Sequence, residues 1–332
     1  MRPFDSARMK VLVTGGAGYI GSVAVERFLD EGHAVAVFDN LERGHREAVD
    51  SRAQFIPGDL RNAPAIEKAM LEVRPEAVVH FAAYALVGES MERPEAYFGN
   101  NLRGGINLAE AMLAAGVRRI VFSSTCAVYG QPEISPITED VSKAPTNPYG
   151  ESKLMLEKVL GWYQRLRGFK PVFLRYFNAC GASGKYGEDH SPESHLIPNM
   201  LKVALGQSPS VSLFGDDYDT PDGTCIRDYI HVLDLINAHH RALENDMTGA
   251  LNLGTGEGYS VLQVLEKARK VTGHPIPAVK KPRRHGDPAR LVSSAAKAGR
   301  ILNWRPEHSG LEEIIRTAWE WHRAHPHGYC GC

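Results

Sequence analysis

Tyr149 and Lys153 stand four residues apart in Asn147-Pro-Tyr149-Gly-Glu-Ser-Lys153. On a helix that spacing puts a phenol and an ammonium on one face, about one turn apart. A cation beside a phenol favours phenolate, and ionising a phenol near pH 7 needs roughly 4 kcal/mol of differential stabilisation. Near the start, Gly15-Gly-Ala-Gly18-Tyr-Ile-Gly21 is a glycine-rich turn of the kind that seats a dinucleotide pyrophosphate. A lysine and a bound nicotinamide cation together are a plausible source of the stabilisation the phenol needs. The pair reads as a proton-transfer device beside a hydride carrier.

These groups need a scaffold, and the patterning supplies one. Apolar runs at Lys10–Thr14, Ala34–Phe38, 53–57, Ala77–Phe81, Arg119–Ser123 and Pro171–Tyr176 predict strands. Helical spacing predicts helices over 19–31, 63–73, about 95–115 and about 148–166. Strands alternating with helices imply right-handed crossovers and a Rossmann-type α/β fold, a doubly wound parallel sheet with helices on both faces. Runs without polar alternation suit strands buried on both sides. After residue 177 the rhythm breaks, and 179–194 and 215–224, rich in Gly, Asp, Pro and Ser, read as loops. Ile226–Leu235 and Ala250–Leu253 read as returns to the main sheet. The expected organisation is an NAD-binding domain over 9–177 with returning segments about 226–256. Residues 178–225 and 257–329 would form a smaller C-terminal substrate lobe over the sheet's carboxyl edge, where ligands bind in open α/β sheets.

The glycines at 15, 18 and 21 are spaced G-x-x-G-x-x-G rather than G-x-G-x-x-G. Their context strengthens them: a strand before, a helix after, and Asp39 closing the second apolar run, 18 residues past Gly21. A carboxylate there accepts a hydrogen bond from the adenosine ribose and repels a 2′-phosphate, favouring NAD over NADP. Asp59, in Gly58-Asp-Leu60, suits either the adenine edge or an ordinary acidic turn.

The net charge of −1 over 332 residues, with mixed signs, favours neither nucleic acid nor a membrane surface. No run of about 18 apolar residues is present to span a bilayer, and the opening MRPFDSARMK lacks the apolar stretch of a secretory signal. A soluble, cytoplasmic protein with a small-molecule substrate is expected. Five cysteines (126, 180, 225, 330, 332) are an odd, scattered set and read as reduced thiols. His325, His327, Cys330 and Cys332 are metal-ligand types crowded at the C-terminus, yet such tails more often fray, and no metal is expected. The residues before Met9 read as a disordered leader, and Trp304, Trp319 and Trp321 as packing.

Thr14-Gly-Gly-Ala-Gly-Tyr-Ile-Gly21, Phe122-Ser-Ser-Thr-Cys-Ala-Val-Tyr-Gly130, Tyr149-x-x-x-Lys153 and Arg175-Tyr-Phe-Asn178 together closely resemble the extended short-chain dehydrogenases/reductases. Val87-Gly-Glu-Ser90, Asp222-Gly-Thr-Cys-Ile-Arg227-Asp-Tyr-Ile-His231 and Arg283-Arg284-x-Gly-Asp287 are more specific, and resemble the UDP-glucose (UDP-galactose) 4-epimerases. The similarity runs from about Met9 to Tyr329.

The resemblance implies a catalytic set of Tyr149 as base, Lys153 as its electrostatic partner and nicotinamide-ribose ligand, and Thr125 bonding the sugar oxygen. It implies NAD contacts from Gly15, Gly18, Tyr19, Ile20 and Gly21, then from Asp39, Asn40, Asp59 and Leu60. Phe81, Ala82, Ala83, Asn100, Ser123 and Tyr176 complete that set with Tyr149 and Lys153. For a UDP-sugar it implies Asn178, His195, Arg227 and Arg284 around the diphosphate, Ser212, Leu213 and Phe214 at the uracil, and Leu196 and Asp287 as further substrate contacts. Leu291 stands where a side chain limits room at the sugar's 2-substituent. The helices near 95–115 and 148–166 would be a dimer surface, packing as a four-helix bundle in a homodimer.

This chain departs from the pattern in places. Ala85 replaces a lysine that some members carry, and His195 an asparagine. A leucine at 291 leaves N-acetylated sugars undecided. Epimerases of UDP-GalNAc/GlcNAc or UDP-arabinose/xylose stay open as alternatives. A dehydratase is disfavoured because Cys126-Ala127, not a pair of carboxylates, follows Thr125. A non-catalytic NAD-binding regulator is disfavoured because Tyr149, Lys153 and Thr125 are all kept.

Overall fold

The computed structural model describes residues 8–284 and 286–330, the side chain of Cys330 excepted. Residues 1–7 of the expected leader, which runs to residue 8, and the metal-ligand side chains of Cys330 and Cys332 lie outside the described residues. The chain runs β1 (Lys10–Thr14), α1 (Tyr19–Asp30), β2 (Ala34–Asp39), β3 (Gln54–Pro57), α2 (Ala63–Val73), β4 (Ala77–His80), α3 (Val87–Glu92) and α4 (Pro94–Tyr97). A wider π-type turn, Phe98–Arg103, carries α4 into α5 (Gly104–Ala114), followed by β5 (Arg119–Thr125), α6 (Pro148–Arg167) and β6 (Lys170–Tyr176). Next come β7 (Asn178–Cys180), α7 (Leu196–Ala204), β8 (Val211–Phe214), β9 (Ile226–Arg227), β10 (Tyr229–His231), α8 (Val232–Glu244) and β11 (Gly249–Leu253). The last elements are β12 (Tyr259–Ser260), α9 (Val261–Thr272), β13 (Ala278–Lys281), β14 (Arg290–Leu291), α10 (Ala296–Leu302) and α11 (Leu311–Ala324).

Seven strands form one sheet in the order β11-β6-β5-β4-β1-β2-β3. Its central pairings are parallel, with Leu12 opposite Ala36 on one side and Val78 on the other. Leu12, Ala36, Phe38, Val78, Ile120 and Phe122 pack on one face with Ile66 and Met70 of α2, Leu108 of α5, and Leu156 and Leu160 of α6. Val11, Val13, Val35 and Val37, alternating with them, are buried too. Both faces are therefore covered, which is why the strands read as unbroken apolar runs. A Cβ on Gly105 would come 2.3 Å from Leu156 Cδ2, so a glycine there lets α5 lie close against α6.

The chain divides into two compact units. Among the described residues the first comprises 8–124, 147–174 and 238–250, and the second 125–146, 175–237, 251–284 and 286–330. Relative to the expected spans, 125–146 and 175–177 go with the second unit, and of the returning segment 226–256 only 238–250 belongs with the first. The core of the second unit joins Ile197, Met200 and Leu201 of α7 to Val264 and Leu265 of α9, and to Ile314, Ile315 and Trp319 of α11. Trp304 and Trp321 are buried, with indole N–H groups donating to the Asp234 and Lys185 carbonyls.

One expectation is corrected. Ala250–Leu253 does enter the main sheet as part of β11, but Ile226–Leu235 does not. It breaks into β9, which pairs with β12 and β14, and β10, which pairs with β7, before turning into α8. The break falls at Asp228, whose buried carboxylate accepts from the backbone N–H groups of Thr255, Gly256 and Ser293. A carboxylate satisfied by three loop amides anchors those loops rather than extending a strand. No described helix is long and apolar enough to cross a membrane.

Candidate active site

The glycine turn is built by close approach. Gly15 has φ +76°, and a Cβ there would come 2.4 Å from the Ala82 nitrogen. A Cβ on Gly21 would come 2.0 Å from the Gly15 carbonyl oxygen. Gly18 stands at the N-cap of α1, where no side chain caps the helix and the first turn holds no carboxylate. Tyr19 and Ile20 open that helix. An uncapped N-terminus behind a glycine cradle has the positive end and the space a pyrophosphate requires, so these residues fit a dinucleotide.

Asp39 ends β2 and is buried, Oδ2 accepting from the Ala17 N–H at 3.0 Å and Oδ1 from the Leu41 N–H at 2.8 Å. Burial raises its pKa, and the amides of Leu41, Ala17 and Asn40 oppose the rise. Asn40 donates to Asp59 at 3.0 Å, and Arg61 pairs with both Asp59 and Glu42. The Arg61 bonds pull Asp59 down to about 2. Tyr84 O–H donates to Glu42 at 2.6 Å. Sequence reading missed Glu42, Arg61 and Tyr84, which sit on three separate loops and become neighbours only in the fold.

Phe81 and Ala82, after β4, both donate N–H groups to the Thr14 carbonyl, and Ala83 follows half-buried. Asn100 is buried and donates to Asn101. Asn101 in turn clasps the Tyr84 backbone in both directions and donates to Ser152 Oγ at 3.1 Å. The loop after β4 is thereby tied to α6 beside Lys153. Leu60 is buried.

Asn147 caps α6 by accepting from the Gly150 N–H at 2.8 Å, and Pro148 occupies the first turn. That start signal places Tyr149 in the first turn and Lys153 one turn on, as the sequence predicts. Tyr149 is half-buried, with its ring edge-on to Tyr97 at 6.4 Å between centroids. Lys153 is 2 % exposed; its Nζ donates to the Ser123 carbonyl at 2.8 Å and lies 4.9 Å from the Phe122 ring centroid. Burial pushes Lys153 down to about 7, and the charge of Glu157 opposes that. Glu157 is buried one further turn along α6 and accepts from Ser124 Oγ at 2.6 Å. Glu157 was overlooked in the sequence, although a carboxylate four residues past Lys153 lies on the same helical face.

In the second unit, Thr125 is buried and its Oγ1 accepts from the Ala127 N–H at 3.1 Å. Burial pushes the Cys126 thiol up to about 11. Among the described residues Cys126, Cys180 and Cys225 are free thiols. Arg227 Nη2 pairs with Asp287 Oδ1 at 2.5 Å rather than with its neighbour Asp228. Burial works against the Arg227 charge, and Asp287 together with Cys225 and Tyr229 more than offsets it. Leu291 lies opposite Arg227 across the parallel pair β14–β9. Ser212 and Phe214 share the half-buried face of β8, whereas the side chain of Leu213 packs into the core. Strand alternation leaves Leu213 only its backbone to offer a ligand. The Arg284 guanidinium stacks 4.1 Å over the Phe214 ring. Asn178 donates to the Asp228 carbonyl at 2.8 Å, and Tyr176 is half-buried at the end of β6. His195 is the N-cap residue of α7, and Leu196 follows it.

Residues 11–254 match the NAD dependent epimerase/dehydratase family. A UDP-glucose 4-epimerase of Halalkalibacterium halodurans is 52% identical over 327 residues, spanning 97% of this chain and 98% of the relative. A solved UDP-glucose 4-epimerase structure matches with TM-score 0.94 and 49% identity, over 96% of this chain and 99% of that one. The Bifidobacterium longum UDP-glucose 4-epimerase in complex with NAD+ and UDP matches with TM-score 0.91 and 39% identity, over 96% and 99% of the two chains. On its matched span, its near-complete relatives and its glycine turn, this chain belongs to the NAD dependent epimerase/dehydratase family.

Proposed function

We propose that this chain interconverts UDP-galactose and UDP-glucose by inverting C4 through a transient 4-keto sugar, retaining NAD throughout. The observation that carries the reading is the buried Lys153 ammonium, bonded to the Ser123 carbonyl one helical turn beyond Tyr149. The glycine turn with Tyr19, Ile20, Asp39, Asn40, Asp59, Leu60, Phe81, Ala82, Ala83, Asn100, Ser123 and Tyr176 would hold NAD. When bound, NAD supplies a reversible hydride acceptor.

Tyr149 takes the O4 proton as the C4–H bond breaks, leaving a C4 ketone. It returns that proton when C4 regains hydride on its opposite face. Thr125 hydrogen-bonds the reacting oxygen, as a positioned partner in proton transfer must. Arg227, steadied by Asp287, and Arg284 grip the diphosphate with charge-assisted bonds, with Asn178, His195 and Leu196 beside it. Ser212, Phe214 and the Leu213 backbone meet the uracil. The tether keeps the ketone from escaping while the sugar turns over. Cys126-Ala127 follows Thr125 in place of a carboxylate pair that would eliminate water, which supports epimerisation over dehydration.

A second reading, epimerisation of an N-acetylated or pentose UDP-sugar, rests on Leu291 next to Arg227, an aliphatic wall of intermediate size. We place the protein in the cytoplasm as a homodimer. Trp162 and Leu166 on α6, 56 % and 64 % exposed, support that surface. Purified protein without added NAD is offered UDP-galactose, UDP-GalNAc and UDP-arabinose separately. Formation of UDP-glucose is expected, and return of UDP-galactose unchanged overturns the proposal.

A further inference from the structure

Glu188, His190, Glu193 and His195 are spaced Glu-x-His-x-x-Glu-x-His, the first three in the stretch 179–194 that the patterning reads as loop. Their ligand-type atoms all lie within 4.8 Å of one another. His195 Nδ1 is 2.8 Å from Glu188 Oε1 and 3.1 Å from Glu193 Oε1. His190 Nδ1 is 3.2 Å from Glu188 Oε1 and 3.6 Å from Glu193 Oε2. A tetrahedral ion with bonds of about 2.05 Å has ligand atoms about 3.3 Å apart, inside that range. We propose that these four side chains form a structural site for a divalent transition-metal ion, with zinc the preferred occupant.

Charge and burial support it. The Glu188 and Glu193 side chains are 6 % and 2 % exposed, and no lysine or arginine pairs with either among the described residues. Two buried carboxylates require two positive charges close by. A divalent ion with two neutral imidazoles supplies them in one centre, without setting two cationic rings 5.3 Å apart. Two nitrogens and two oxygens suit zinc better than magnesium or calcium, which prefer all-oxygen sites. The His195 side chain, 46 % exposed, leaves an entry path from solvent. His322 of α11 is buried within the field of both carboxylates, and its Nε2 has no hydrogen-bond partner among the described residues.

A second cluster, His33, His240 and Glu244, is less suited. His33 Nδ1 accepts from the Met9 N–H at 3.2 Å, so a neutral His33 carries its proton on Nε2, the atom facing His240. A bound ion would pin residues 188–195 to the start of α7, next to the proposed diphosphate contacts. The site itself does not depend on that reading.

The test is zinc content after loading with Zn2+ and gel filtration, measured by elemental mass spectrometry on the full chain. About one zinc per chain is expected in the parent and in the His240→Asn and Cys330→Ser/Cys332→Ser variants, and about none in His190→Asn. If the parent holds no zinc, or His190→Asn holds as much as the parent, the proposal fails and the four groups are an ion network only. X-ray absorption of the loaded parent keeps the test independent of how the variant folds. Nitrogen and oxygen neighbours without sulfur support the site, and sulfur ligation overturns it.

Discussion

Lys153 Nζ donates its 2.8 Å hydrogen bond to the carbonyl of Ser123, at the carboxyl end of β5. The sheet thus holds the ammonium by main chain, so no side-chain rotation of Ser123 can release it. Tyr149, one turn earlier on α6, is placed by the same helix.

Tyr149→Phe removes the proposed proton acceptor while leaving the ring and its edge-on contact with Tyr97. Turnover of UDP-galactose should fall roughly 10²–10⁴-fold, the usual worth of a general base. UDP-glucose affinity, read by calorimetry, should change little. Turnover near the parent's would remove Tyr149 from its role.

In the proposed mechanism Glu157 acts through Lys153, whose charge it favours. Glu157→Gln deletes the charge that opposes the burial-driven fall of the Lys153 pKa. The alkaline limb of the turnover–pH profile should move down by about one unit. A profile scaled in height but unmoved along the pH axis would leave Glu157 a packing residue only.

Lys153 also makes stability depend on pH. Its folded pKa of about 7 lies below the ordinary lysine value, so between the two the unfolded chain binds one more proton. Its contribution to unfolding free energy therefore rises with pH across that window, by a few kcal/mol. Lys153→Met should abolish the rise, seen as the difference between parent and variant denaturation curves from pH 7 to 10. Parallel curves would contradict the burial argument.

Gly21→Ala forces a Cβ to 2.0 Å from the Gly15 carbonyl oxygen and must open the turn. NAD should be lost on gel filtration, as judged by absorbance of the denatured filtrate. Asp39→Asn should weaken retention more mildly, by about 10–100-fold, the range for a hydrogen bond to a charged group. Full retention in both would dismiss this turn as the cofactor seat.

Trp162→Glu with Leu166→Glu sets two charges on the apolar patch of α6. Light scattering should show a dimer for the parent and a monomer for the variant. A parent that stays monomeric at every concentration would refute the homodimer.

The α/β alternation, the glycine turn and the tyrosine–lysine pair were legible in residue order, because each depends on periodicity or on contacts within a turn or two. The helices at 63–73 and 148–166 were readable from apolar spacing and from Asn147-Pro148. Tertiary structure alone decided that Ile226–Leu235 leaves the main sheet, since Asp228 is satisfied by loop amides 27 to 65 residues away. It alone paired Arg227 with Asp287 across 60 residues, and turned Leu213 inward by fixing the face that β8 presents to its core. It also drew Glu188, His190, Glu193 and His195 into one cluster out of a stretch with no periodic signal. Local order follows from backbone geometry and spacing, whereas partners brought together by chain closure leave no mark on the residues between them.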